Sequence, residues 1–172
     1  MIQSDKFDSA KMNIKKITDI ALIFAIKKFI EIFGIFILCV GILLFISLIT
    51  YSPDDPNFIF PKNSQIENLL GFQGSYISDL LFQSIGLIAY LVSITFIFTG
   101  INIFRDKDIF LIIENIFYTI LYSILGSLFF TFFYKNAFTL YINGNGGFVG
   151  NYFNQTFLKK LILFNENISF YI

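Results

Sequence analysis

The 172 residues contain no histidine and a single cysteine, Cys39. With one cysteine there is no intrachain disulfide framework, and without histidine or clustered cysteines there is no zinc-ligand set, so neither metal nor cofactor is expected. Cys39 lies inside an apolar run and follows Leu38 rather than the small residues that precede a lipidated cysteine. It reads as a small packing residue. Charge is scarce as well: 14% of residues are charged, where soluble domains carry about a quarter. The 12 basic and 12 acidic residues cancel, so no global field favours nucleic acid or another polyanion. Proline occurs three times, and Pro53, Pro56 and Pro61 all fall in one short stretch.

What is abundant is apolar surface: 56% of residues are hydrophobic and 20% aromatic, a composition that places the chain among membrane proteins. Residues 1–31 carry Lys6, Lys11, Lys15, Lys16, Lys27 and Lys28, half of all the basic charge. The apolar patch 20–26 inside this segment is too short to span a bilayer; it lies at the interface or extends the next helix. Residues 32–51 are uncharged, and 20 residues at about 1.5 Å each give about 30 Å, the thickness of a hydrocarbon core. The lysines before this span put its start in the cytoplasm. Uncharged stretches 80–104 and 115–134 follow as second and third spans, with "RDKD" at 105–108 as the inner return between them. Outer loops are expected at 52–79 and 135–167, and an apolar run beginning at 168 reads as the start of a fourth span. The fold class is therefore all-α: a polytopic α-helical membrane protein with three complete transmembrane helices plus the start of a fourth, organised as a basic segment 1–31 and a membrane domain 32–172.

A transporter or proton relay places ionisable groups at mid-bilayer, where their cost is tolerated for function. The three spans have none; Glu31, Asp79 and Glu114 stand at their ends, and Glu31 follows Lys27 at a helical ion-pair spacing. Small residues recur at four- and seven-residue spacing: Gly34 and Gly41, then Gly86, Ser93 and Gly100, then Ser123 and Ser127. Such seams let transmembrane helices approach closely, within one chain or between copies. Ser84, Ser93, Thr95, Thr99 and Asn102 on the second span could line a pore, yet hydroxyls in membrane helices commonly bond their own backbone. The glycine-rich "NGNGGFVG" at 143–150 lacks the lysine that a phosphate loop requires. No nucleotide is expected there.

The stretch "YSPDDPNF" at 51–58 ends the first span on a rigid acidic turn. With "NLLGFQGSYISDLLFQSIG" at 68–86 and "GGFVG" at 146–150, it resembles the N-terminal four-helix membrane domain of the FtsK/SpoIIIE DNA translocases. The matching positions are Tyr51, Pro53, Asp55 and Pro56, then Asn68, Gly71, Gly74, Asp79 and Gly86, then Gly146, Gly147 and Gly150. Asn57 stands where the family usually has serine, and Ser75 and Ser78 where it usually has alanine. The family's motor, with its ATP site, is absent from these residues. The resemblance implies a non-enzymatic membrane anchor and assembly module of a septal translocase, acting in cell division and chromosome partition at the bacterial inner membrane. It implies the lipid bilayer, further copies of the chain and other division proteins as partners, and no direct nucleic acid contact. A small channel or transport-accessory protein, or a non-functional gene fragment, is the alternative. Within this frame the outer turn is expected to keep its aspartates in water, Asp79 to sit in the first turn of the second helix near its positive dipole end, and Gly71 and Gly74 to supply positive φ.

Overall fold

The computed structural model describes residues 2–56, 65–134 and 143–158, with side chains for 15–56, 65–134 and 143–156. Among these residues the regular elements are helical: α1 (Ile2–Ile49), α2 (Gly71–Ile85), α3 (Ala89–Asp106), α4 (Leu111–Phe133) and α5 (Gly147–Phe153). A 3₁₀ turn, Gly86–Ile88, joins α2 to α3, and a π-helical turn, Asn154–Leu158, extends α5. Among the described residues, three helical stretches are long and apolar enough to cross a membrane: Lys15–Ile49, Gly71–Asp106 and Leu111–Phe133. The chain is an all-α, multi-pass membrane protein.

The first expected span, 32–51, is the C-terminal part of one uninterrupted helix. Residues 20–26 continue α1 as helix, and Ile20, Ile23 and Phe24 are exposed on it. The helix stops at Ile49 because Pro53 bars its continuation two residues after the terminal Thr50–Tyr51 turn. α3 runs antiparallel along α1. Gly34 faces the Phe104 backbone, Gly100 faces Leu38, and Gly41 faces Ile97, so residue numbers rise on one helix as they fall on the other. A methyl group built on Gly34 or Gly41 would lie 2.7 Å from a backbone nitrogen of α3. The small-residue seam is used here within the chain, to bring two backbones together.

The expected second span, 80–104, is not one helix. At Gly86 the backbone has φ 66° and ψ −145°, a conformation closed to residues with a Cβ, and the helix direction changes there. α3 alone runs beside α1, while α2 lies across the end of the bundle. Ser47 Oγ of α1 donates to the Gly74 carbonyl near the start of α2 at 2.6 Å. Ser127 Oγ of α4 donates to the Ile85 carbonyl at its finish at 2.9 Å. Fifteen residues of helix reach about 22 Å, enough to bridge from α1 to α4.

At the opposite end, α3 closes on Lys107, whose φ of 57° turns the chain back toward α4. Glu31 does not use Lys27. It pairs with Lys28 one turn earlier at 2.7 Å and with Lys107 across the hairpin at 2.9 Å, because the left-handed turn brings that ammonium to α1. α4 occupies Leu111–Phe133 and packs on the 3₁₀ turn through Gly126 against Ile88 and on α3 through Asn115, whose Nδ2 donates to Thr99 Oγ1 at 2.8 Å. Within the stretch 135–167, expected as loop, residues from Gly147 form α5. Glycines at 146 and 150 let it sit directly on Ser127 and Thr131 of α4. The expected fourth span from 168 lies outside the described residues.

Candidate functional site at the Tyr51 end

The compact core of the molecule is at the end of the bundle where α1 finishes. Leu48, Phe82 and Ala89 are buried there, with Tyr51, Leu81, Ile85 and Tyr90 packed around them. The Phe82 ring meets Tyr51 edge-on at 4.9 Å and Tyr90 at 5.5 Å between centroids. Tyr90 OH donates to the Leu48 carbonyl at 3.2 Å, so each tyrosine offers its ring to the core and its hydroxyl to a polar partner.

Around this core the motif residues form a hydrogen-bonded clasp. Asp55 N donates to the Ser52 carbonyl at 3.2 Å, closing a turn with exposed Pro53 at its second position, where a fixed φ is favourable. Asp55 is 3% exposed, contrary to the expectation that its carboxylate sits in water. One carboxylate oxygen accepts Glu67 N at 2.7 Å and the other accepts Asn68 N at 3.0 Å. These charge-assisted bonds replace the hydration the group gives up. Asn68 carries the tie onward. Its Nδ2 donates to the Ser47 and Thr50 carbonyls at 2.9 and 3.2 Å, capping the last turn of α1, while its Oδ1 accepts Leu70 N at 3.0 Å. The open carbonyls of a helix end thus find a side-chain donor from a distant residue.

Gly74 and Gly71 serve different purposes. Gly71 has φ 67° where α2 begins, as expected for the turn; Gly74 is an ordinary helical residue whose missing Cβ makes room for Asn68 Oδ1. Pro56 is buried and its carbonyl accepts Ser75 Oγ at 3.2 Å. Asp79 is not in the first turn of its helix. α2 starts eight residues earlier, at Gly71, so the helix dipole is not its partner; Tyr51 OH donates to Asp79 Oδ1 at 3.1 Å.

A second cluster continues the first at the Gly86 break. Leu87 N donates to the Asn145 carbonyl at 2.9 Å, and a Cβ on Gly86 would collide with that carbonyl. Gly147, at φ 64°, packs against the backbone of Ser84 to Gly86. Asn143 Nδ2 bonds both the backbone and side-chain oxygens of Gln83, at 3.2 and 3.0 Å. Asn145, 1% exposed, also donates through Nδ2 to the Tyr134 carbonyl.

The structure therefore gathers Tyr51, Pro53, Asp55, Pro56, Asn68, Gly71, Gly74 and Asp79 into one assembly. Gly86, Gly146, Gly147 and Gly150 form a second beside it. Ser47, Asn143 and Asn145, which tie these clusters together, went unmarked in the sequence, and Ser75 and Ser127 stood out there only as small residues, not as hydrogen-bond donors. The density of asparagine in 143–151 signalled only a loop, since nothing local tells which distant carbonyl an asparagine will meet.

Both oxygens of Asp55 are occupied by main-chain donors, and Asp79 faces a phenol; these arrangements hold backbone in place. Among the described residues no group of three His, Cys, Asp or Glu could hold a metal ion. Polar groups of α3 also bond inside the chain: Thr95 with the Leu91 carbonyl and Tyr122 OH, Ser93 with the Tyr90 carbonyl.

Residues 27–165 match the family described as the 4TM region of DNA translocase FtsK/SpoIIIE. This chain belongs to that family. Relatives carry the same name. The DNA translocase FtsK of Rickettsia typhi is 34% identical over 68 residues, which is 40% of this chain and 9% of that protein. That of Rickettsia bellii is 28% identical over 89 residues, 50% of this chain and 12% of the relative. That of Pseudomonas putida is 34% identical over 65 residues, 37% and 8% respectively. The matched region of the chain thus spans about a tenth of the length of these FtsK proteins. No solved structure matches the chain significantly.

Proposed function

We propose that this chain is the membrane-anchoring and assembly module of an FtsK-type septal DNA translocase, acting in bacterial cell division and chromosome segregation. The observation that carries the reading is the convergence of the family-like motif residues, scattered over a hundred positions from Tyr51 to Gly150, on one end of a bundle that matches the family's membrane region. In this reading the module is not an enzyme and touches neither nucleotide nor nucleic acid; it holds a cytoplasmic motor at the inner membrane. The N-terminus and the charged end around Glu31, Arg105 and Lys107 face the cytoplasm, following the excess of lysine there. The Tyr51 end then faces outward, and its clasp is a rigid lid that other division proteins and further copies of the chain can contact.

A fluorescent fusion of the chain expressed in dividing bacteria should concentrate at mid-cell. Uniform membrane fluorescence at normal protein level would refute the septal role. Replacing Asp55 and Pro56 together with alanine should release the fusion from mid-cell without depleting it from the membrane; undiminished recruitment would remove the lid as a partner surface.

A further inference from the structure

The helix that crosses the end of the bundle has its polarity reversed. The side of α2 turned toward α1 and the clasp consists of Gly74, Ser75, Ser78, Asp79 and Phe82, all buried. Its outward side carries Leu69 just before the helix, then Phe72, Tyr76, Ile77 and Leu80, with Leu69 75%, Phe72 51% and Leu80 53% exposed. Gln73 is the one amide among them, and no charged residue stands on this side. A helix bordered by water puts its apolar stripe inward. Here the inward side is small and polar apart from Phe82, with Ser75, Ser78 and Asp79 hydrogen-bonded, and the other large apolar side chains are outside.

The outward face is continuous with the flank of a membrane span. Between α2 and α1 lies an apolar groove of about 330 Å³, lined by Leu43, Leu44, Ser47, Leu70, Gln73 and Ile77. The exposed residues of this part of α1 are Ile42, Leu43 and Ile49, the surface that a spanning helix turns to hydrocarbon. We propose that α2 is embedded in the bilayer as a helix lying across the span ends, with Leu69, Phe72, Tyr76, Ile77 and Leu80 in contact with phospholipid acyl chains that also fill the groove. Tyr76 and Gln73 set its depth near the headgroups, where an amphipathic ring is at home. Residues 71–79, expected as part of an aqueous loop, are then membrane.

The protein has no tryptophan, so one introduced indole is an unambiguous reporter. Phe72→Trp and Leu80→Trp, near the two ends of the stripe, are each reconstituted as the full chain in phosphatidylcholine vesicles with ordinary or brominated acyl chains. Leu69→Trp replaces either variant that does not accumulate. Bromine, which quenches indole on contact, should reduce the emission at both positions at least twofold, with aqueous iodide having little effect. A smaller loss at either position, whatever iodide does, would overturn the proposal; strong iodide quenching in that case would leave the face in water, free for a protein partner.

Discussion

Asp55 shows how one side chain fixes a loop. Its two oxygens hold the N–H groups of Glu67 and Asn68, twelve and thirteen residues on in the chain. Asp55→Ala leaves two donors without their acceptor: Asn68 N–H in a buried setting, where such a loss costs about 1–3 kcal/mol, and Glu67 N–H in a half-buried one, where water recovers part of it. The variant should therefore be destabilised by roughly 2–4 kcal/mol, read as an earlier thermal transition in detergent. Stability equal to the parent would mean that the clasp does not hold the fold. Gly86→Ala meets two obstacles together, a φ of 66° and the Asn145 carbonyl. We expect a loss above about 2 kcal/mol, from backbone strain alone of about 1–3 kcal/mol plus the displaced carbonyl; an unchanged melting curve would contradict the bend at that position. The need for glycine at Gly86 was suggested by the motif, but its cause was not. A sequence displays the missing Cβ, not the carbonyl that occupies its place.

Among the elements, the pairing of α1 with α3 is governed by what each glycine meets. A Cβ on Gly100 strikes the backbone of Leu38, which cannot move without shifting α1, whereas one on Gly126 strikes the end of the Ile88 side chain, which can rotate. Gly100→Ala should accordingly lower the melting temperature more than Gly126→Ala, and the reverse order would show that the α1/α3 seam is looser than described. The seams at Gly34, Gly41 and Gly100 could be read from spacing alone, because a four- or seven-residue repeat returns to one face of a helix. Which helix the seam meets could not be read, since the same pattern serves contacts within a chain and between chains. The break of the second span was hidden for a related reason: 80–104 is uniformly apolar, and hydropathy measures solubility in lipid, not direction.

For the molecule as a whole, the charged residues Glu31, Arg105 and Lys107 gather at one end and the hydrogen-bonded clasp at the other. This polarity predicts a topology that labelling can check. In a Cys39→Ser background, Asp54→Cys and Asp108→Cys should react with a membrane-impermeant maleimide from opposite sides, Asp54→Cys from outside intact cells and Asp108→Cys only after the cytoplasm is opened. Labelling of both from one side would reverse or abolish the proposed orientation. The small buried core near Phe82 and the apolar exterior elsewhere are what a bilayer requires: lipid covers the spans, so internal packing is needed chiefly where polar loops must be secured.

Sequence by itself determined the solvent of this protein and, among the described residues, its three long apolar helical stretches, because both depend on composition along a contiguous stretch. It also marked Tyr51, Asp55, Asn68, Gly86 and Gly150 as positions of consequence. Only the tertiary structure decided what they do: Asn68 caps a helix that ended nineteen residues earlier, Tyr51 rather than a helix dipole meets Asp79, and Asn145 fits where Gly86 has no side chain. Hydrophobicity is additive along the chain and can be summed before folding. A hydrogen bond needs two partners at about 3 Å, and distant residues come that close only when the chain has folded.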